Sequence, residues 1–447
     1  MNHPNILLIS LDSLRSDYCY SKNKSLKIPN IQNLIKGGLS FTNAISSSDS
    51  TGNSIGSIFS GLYSFQSGIT HYNFEKDTPL FTDILKDFDY RLYATVPDLS
   101  FFKNLTLKFD NKNSYTYDKR DLWIRLEGGI GSQIVDQLKK IKKSKPWFNF
   151  IHLMDLHAPF FIPKKFDNPK FGHNRYERML SSIDFWFGKI LEHINLDETL
   201  LILTSDHGDY VPVIDEAVSY NTKSRKILKK FKSTFPTLVP IAEKFILQYR
   251  SLKRTIKKKK LEKKLSSEEI RSFNLRAEES LYDESIRIPL IFCGYGISKQ
   301  KLITSLVRQV DTFPTIFEIC NFPNKIKKIH GRSLYPLFKE KLLNELPAYI
   351  ETGSRDPKKI GKIIGLRTKR YKYLRSREDV QKNVCLFDLE SDPLEQNNLT
   401  NLQPHLVQQM EKKLSEMRKD SKDEKPKSLS EEETKKVEEE LKKLGYL

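Results

Sequence analysis

The sequence predicts an α/β fold: a three-layer α/β/α sandwich on a mostly parallel central sheet, with a smaller α+β region at the C-terminal end. Three observations carry this. Apolar runs of strand length recur as NILLISL at 5–11, WFNFIHLM at 147–154 and LLILTS at 200–205. They lack the alternation of a half-exposed strand, so they read as strands covered on both faces. Helical spacings lie between them. Each run also stops at ionisable residues: Asp12 and Arg15 after the first, Asp155 and His157 after the second, Asp206 and His207 after the third. In an open α/β sheet, ligands bind at the C-terminal ends of the strands, so these residues are expected along one edge.

The elements follow in order. IPNIQNLIKGG (28–38) places Ile28, Ile31 and Leu34 at helical spacing before a Gly-Gly stop. LFTDILKDF (80–88) and GSQIVDQLKKIKK (131–143) read as amphipathic helices. Between about 211 and 275 the pattern gives way to a lysine-rich segment, and core character resumes at LYDESIRIPLIFCGYG (281–296). The expected division is a catalytic domain over 1–344, carrying that basic insertion, and a C-terminal subdomain over 345–447. Its end, SLSEEETKKVEEELKKLGYL, has Ser430 and Glu433 at capping-box spacing and predicts a final exposed helix.

Composition narrows the class. With 447 residues, 38% hydrophobic and 11% aromatic, the chain can bury a full core, which excludes wholesale disorder. No apolar run approaches the roughly 18 to 20 residues of a membrane span. The N-terminal run follows MNHPN without a basic region or a cleavage site, so it reads as a strand and not as a signal peptide. Cys19, Cys293, Cys320 and Cys385 lie far apart with no CxxC pair, which fits a reducing compartment and gives cytoplasm as the expected location.

Charge is concentrated. Of a formal net charge of +19, residues 223–264 carry 16 Lys and Arg against 2 Glu. Ile241, Phe245, Tyr249, Leu252 and Ile256 form an apolar stripe on the same segment. A solvated tether is one reading. Peripheral contact with anionic lipid at the inner membrane face is the functional one. Nucleic acid is the least favoured partner, since no base-reading module is visible.

Asp12, Asp206 and His207 are residue types that hold a divalent cation. Singly, each has a plain structural reading as a turn former or cap. Together they become a candidate site, because the stretch at 46–69 lies between them in sequence with nine serines, Thr51 and several glycines. Such small residues allow a hydroxyl and its backbone to approach a metal and its ligand closely. His71, His152, His173 and His330 read as structural, and Trp123, Trp147 and Trp186 as core.

At this point the sequence resembles the alkaline phosphatase and sulfatase superfamily. NILLISLDSLRSDY is similar to that family's opening strand, FTNAISSSDSTGNSIGSIFSGLYSFQSGI to its nucleophile segment and FIHLMDLHAPF to its substrate histidine motif. LTSDHGD is similar to its second metal-binding pair. VDTFPTIFEICNF, HGRSLYPLF, LRTKRYKYL and LFDLESDPLEQNNL extend the match along nearly the whole chain, apart from the basic segment. The resemblance implies an alkaline phosphatase-like sandwich with Thr51 as nucleophile and metal ligand. It also implies Asp12, Asp206 and His207 as further ligands, and His157 as the residue that contacts substrate. Arg15 is implied as support for the metal-binding loop; beside the resemblance, Ser13 and Asp209 are candidates for support of the metal ligands, and Asp155 either orients His157 or ends its strand.

The departures set the expected chemistry. Formylglycine sulfatases carry Cys or Ser at the nucleophile, followed by Pro and Arg; this chain reads Thr51-Gly52-Asn53-Ser54-Ile55. Threonine cannot become formylglycine, so no such cofactor is expected. Ser13 stands where those enzymes have a second carboxylate, and ATVPDLSFF (94–102) lacks their Lys and His pair. One divalent ion is expected (Mn, Zn, Mg or Ca), with Mn or Zn favoured by the single imidazole and few carboxylates. The first reading is a metal-dependent hydrolase or transferase of phosphate esters that works through a Thr51 intermediate on an anionic substrate, lipid- or glycan-linked. The alternatives are a sulfate-ester hydrolase acting on a glycan or small molecule, and a catalytically weak binding member of the family.

Overall fold

The computed structural model describes residues 3–20, 25–75, 77–116, 125–142, 146–158, 160–210, 270–271, 280–297, 300–323, 328–354, 356, 359–421, 435 and 439–440. The lysine-rich insertion with its apolar stripe, Trp123 and nearly all of the terminal helix lie outside these residues.

The central sheet is built from β1 (Asn5–Leu11), β2 (Leu39–Ile45), β3 (Arg91–Pro97), β4 (Asn111–Tyr115), β5 (Trp147–Leu153), β6 (Thr199–Ser205), β7 (Arg287–Gly294), β8 (Lys301–Ile303) and β9 (Val307–Arg308). Its order is β4-β3-β5-β1-β6-β7-β2-β8, with β9 also paired to β2. β7 pairs antiparallel with both neighbours, and the other pairings are parallel. The three apolar runs of the sequence are therefore the adjacent central strands β5, β1 and β6, buried along their whole length. Helices cover both faces of such strands, which is why the runs do not alternate.

Two groups of helices supply that cover. Pro29–Gly37 and Ile130–Ile141 each pack on Arg175–Leu191, and a Cβ on Gly131 would lie 2.3 Å from the Trp186 ring. Thr51–Ser60, Phe81–Asp87 and Thr312–Ile319 form the second group, seated on β5 through ring contacts of Phe59 and Phe81 with Phe148 and Phe150. Trp147 and Trp186 are both buried.

A second, antiparallel sheet contains β10 (Ala348–Glu351), β11 (Ile363–Arg367), β12 (Tyr371–Ser376) and β13 (Cys385–Asp388) in that order. The helix Pro404–Met417 packs on it through Met410 and Leu414. β10 docks beside the end of β2: Glu351 N donates to Ser47 O at 3.0 Å, and Gly353 N to Asp49 Oδ1 at 2.7 Å. Among the described residues no helix is long and apolar enough to cross a membrane, and the four cysteines are free.

Candidate active site

Register brings the candidate residues together. β1 pairs with β5 and β6 so that Leu11 lies opposite Leu153 and Ser205. The next residues on β1 and β6 are Asp12 and Asp206, so the two carboxylates leave the same edge side by side. The turn after β1 holds them there. Ser13 adopts a left-handed conformation, φ 63°, which is uncommon for a residue with a side chain. Its N–H donates to Asp206 Oδ1 at 3.2 Å and its hydroxyl to Asp12 Oδ1 at 2.6 Å. Ser205 closes the turn from below, donating to Leu11 O and accepting from Leu14 N.

Asp12, Asp206 and His207, all buried, each offer one ligand atom, and these atoms lie within 4.8 Å of one another. His207 Nδ1 pairs with Gly208 O at 2.7 Å. That contact places the ring hydrogen on Nδ1 and leaves the Nε2 lone pair facing Asp206 Oδ2, 3.5 Å away. Asp206 Oδ2 is buried without a hydrogen-bond partner among the described residues. Two neighbouring carboxylates held out of water repel each other, and a dry, unpartnered oxygen is costly. A divalent cation relieves both, so the donor set fits the ion that the sequence implies.

Thr51 opens the helix Thr51–Ser60 beside this set. Its hydroxyl is half-buried, with Oγ1 3.4 Å from Asp12 Oδ2. The small residues have a steric reason. A Cβ on Gly52 would stand 2.3 Å from His71 Cα, and one on Gly56 would stand 2.5 Å from Ile69 Cγ2. The helix start therefore packs directly on the 69–71 backbone, a closeness that only glycine permits. The surrounding serines are mostly committed to backbone: Ser54 and Ser46 donate to Ser48 O, Ser57 to Asn53 O and Ser60 to Gly56 O.

The remaining predicted residues take different places. His157 is buried, with Nδ1 pairing Ala158 O at 2.8 Å. Asp155 accepts from Leu126 N at 3.1 Å, and burial pushes its carboxyl up to about 6 against the pull of Arg125. It thus fixes the 125–128 loop. Arg15 makes a two-point ion pair with Asp17, at 2.9 and 2.7 Å, and packs over Gly208. Asp209 Oδ2 lies 3.4 Å from Ser13 Oγ, at the rim of the cluster.

Several residues at the site had no functional assignment from sequence. His152, read as structural, places Nε2 3.9 Å from Asp12 Oδ2. His71, also read as structural, interacts electrostatically with Asp12 and His207. Burial pushes both imidazoles down to about 4 despite the opposing charge of Asp12, so both rings are neutral near pH 7. Gln309 spans the edge: its amide donates to Ser205 O and Asp206 O, and its oxygen accepts from Ser47 N and Oγ. Asn53, in the first turn of the Thr51 helix, donates to Glu351 of β10 at 2.6 Å and accepts from His71 N at 3.3 Å.

The Sulfatase family model matches residues 4–322, and the model described as N-sulphoglucosamine sulphohydrolase, C-terminal, matches residues 271–420. Arylsulfatase K of Gallus gallus is 23% identical over 457 residues, covering 92% of this chain and 82% of that protein. A solved structure described with the metabolism of multiple glycosaminoglycans by Bacteroides thetaiotaomicron superposes with a TM-score of 0.67 at 16% identity, covering 93% of this chain and 96% of the other. The phosphonate monoester hydrolase of Agrobacterium radiobacter gives a TM-score of 0.66 at 15% identity, covering 93% and 95%. At such identities the structural matches speak for the fold, whereas the family model spans most of the chain and includes every residue of the candidate site. The chain belongs to the sulfatase family, within the sulfatase and alkaline phosphatase superfamily of hydrolases.

Proposed function

We propose that this chain hydrolyses a sulfate ester on an anionic substrate, with a sulfated glycan as the first candidate, using one divalent cation and the Thr51 hydroxyl. The observation that carries the reading is the half-buried Thr51 Oγ1, 3.4 Å from Asp12 Oδ2, beside the buried Asp12, Asp206 and His207 set. Match to the sulfatase model and to arylsulfatase K supports sulfate over the phosphate esters that threonine alone suggests. The glycan substrate draws on the N-sulphoglucosamine sulphohydrolase model and the glycosaminoglycan-related structure.

In this reading Asp12, Asp206, His207 and Thr51 Oγ1 hold the cation, with Mn or Zn favoured by the mixed oxygen and imidazole donors. When bound, the ion neutralises charge on the ester's non-bridging oxygens and lowers the pKa of the threonine hydroxyl. A bond from Thr51 Oγ to sulfur would form as the bond from sulfur to the ester oxygen breaks, with the threonine proton passing to that oxygen as the alcohol leaves; attack of water on the sulfur would then release sulfate and restore the Thr51 hydroxyl. Free N–H groups at the start of the Thr51 helix face the sulfate oxygens and favour their negative charge. His157 contacts the leaving oxygen. Asp209 and Ser13 steady Asp12, and Arg15 braces the turn that carries them.

Transfer of a phosphoryl or phosphonyl group through Thr51 is the second reading. It is favoured by the threonine itself, which cannot become formylglycine, and by the fold shared with a phosphonate monoester hydrolase. A panel of aryl sulfate, sulfated disaccharide, aryl phosphodiester and aryl phosphonate separates the two. The protein is stripped with chelator and refilled with Mn²⁺, and wild type is compared with Thr51→Ala. Sulfate release that falls by at least about 10³-fold in the variant is expected. Turnover confined to the phosphorus esters would replace the first reading by the second.

A further inference from the structure

In and beneath the candidate ion site lie buried polar atoms without a hydrogen-bond partner among the described residues. His152 sits on β5 opposite Ser10 of β1, one step below the edge from which Asp12 leaves. Its ring is fully buried and enclosed by Phe102 and Phe150, at centroid distances of 4.8 and 6.4 Å. Among the described residues neither ring nitrogen has a hydrogen-bond partner, nor does Ser10 Oγ across the ladder or Asp206 Oδ2 at the end of the neighbouring β6. An imidazole always carries at least one N–H, and native interiors rarely leave such a donor unpaired. A phenylalanine would fill the same aromatic slot with no polar atom to satisfy.

One acceptor is near. Asp12 Oδ2 stands 3.9 Å from His152 Nε2, about 1 Å beyond hydrogen-bond length. The other oxygen of that carboxylate already accepts from Ser13 Oγ at 2.6 Å. The atoms close enough together to share an ion come from Asp12, Asp206 and His207, so His152 stands behind that set and not within it.

We propose that His152 is a positioning residue for Asp12: with a divalent cation in place, its Nε2–H donates to the Asp12 carboxylate and fixes that carboxylate on the ion. The inference rests on the cation reading of the proposed function. Carboxylates and imidazoles that ligate metals are commonly oriented by such outer hydrogen bonds, and loss of one weakens metal binding by about 10- to 100-fold.

The test is Mn²⁺ binding to the full chain, followed by electron paramagnetic resonance of the free ion, beside thermal melting in chelator. His152→Phe is expected to melt at or above the wild-type temperature without metal, because it removes the unpaired donor. It is expected to bind Mn²⁺ about 10- to 100-fold more weakly. His152→Gln, whose amide can reach toward Asp12, is expected to recover part of that loss. A folded His152→Phe, or His152→Leu should the first not fold, that binds Mn²⁺ as tightly as wild type overturns the proposal while leaving the cation reading intact. Wild type that binds neither Mn²⁺, Zn²⁺ nor Ca²⁺ overturns both.

Discussion

Two buried carboxylate clusters flank the helix Thr51–Ser60, and they are built on opposite terms. Glu351, on the side of the C-terminal sheet, is saturated: it accepts from Asn53 Nδ2 at 2.6 Å, Tyr349 OH at 3.0 Å, Arg377 Nη2 at 2.7 Å and Ser64 Oγ. Burial alone would raise its pKa, but Arg377 and the hydrogen bonds from Ser64 and Asn53 bring it below the usual value. On the other side, Asp12 and Asp206 lie together with no lysine or arginine ion-paired to either among the described residues, and Asp206 Oδ2 has no partner. A saturated cluster is a joint. An unsaturated one is a place where a ligand completes the chemistry, and the same short helix is anchored by the first and presents Thr51 to the second.

The contrast can be broken at either cluster, and the largest effect is expected at the unsaturated one. Asp206→Asn removes a ligand charge, so turnover should fall by about 10²- to 10³-fold. Melting of the metal-free variant should be unchanged or raised, because the repulsion with Asp12 is gone. Turnover at saturating Mn²⁺ and melting in chelator check both halves. A variant that lost stability in chelator as well would mean the cluster is a joint too.

Glu351→Ala should reverse the pattern. It strands the buried Arg377 guanidinium, and removing one partner of a buried pair costs about 3–5 kcal/mol. Urea unfolding would register that loss, while the Mn²⁺ affinity of the folded fraction stays near wild type. A large change in affinity with little change in stability would erase the distinction between the two clusters.

Gly52→Ala probes the link between them. The added Cβ meets the His71 backbone, so overpacking of about 1–3 kcal/mol is expected. Because the strain falls next to Thr51, kcat should drop more than KM rises. Equal effects on both would place the disturbance in substrate binding.

The smallest effect is a pH dependence on the saturated side. His330 accepts from Tyr63 N, and burial together with Arg308 pushes its imidazole down to about 4 from an ordinary 6.5. Between those values the unfolded chain takes up a proton that the folded chain refuses. Stability from this group is therefore full above pH 6.5 and is lost as the pH falls toward 4. His330→Asn keeps an acceptor and loses the titration, so its urea midpoint should vary less between pH 7 and 5 than that of the wild type.

Much of this was legible in the sequence wherever the information is local. Asp12, Asp206 and His207 could be placed together because each ends an apolar run long enough to be a buried strand, and parallel strands bring such ends to one edge. The small residues around Thr51 reflected a real closeness, since Gly52 and Gly56 touch the 69–71 segment directly. The Glu351 joint was not legible, because Asn53 and Glu351 are 298 residues apart and neither type is unusual for a first helical turn or a strand end. Gln309 was hidden in the same way: it meets Ser47 and Asp206 across 262 and 103 residues. His152 did leave a trace, as an imidazole inside WFNFIHL, whose only other polar residue is Asn149, but only the register with β1 shows what it faces.

The most direct measurement is sulfate release from a sulfated disaccharide by chelator-stripped wild type as Mn²⁺ is added back. Release is expected to rise saturably with the ion and to stay about 10²- to 10³-fold lower in Asp206→Asn even at saturating Mn²⁺. Release that is the same with and without added ion, or none from any sulfate ester while phosphorus esters are turned over, would contradict it.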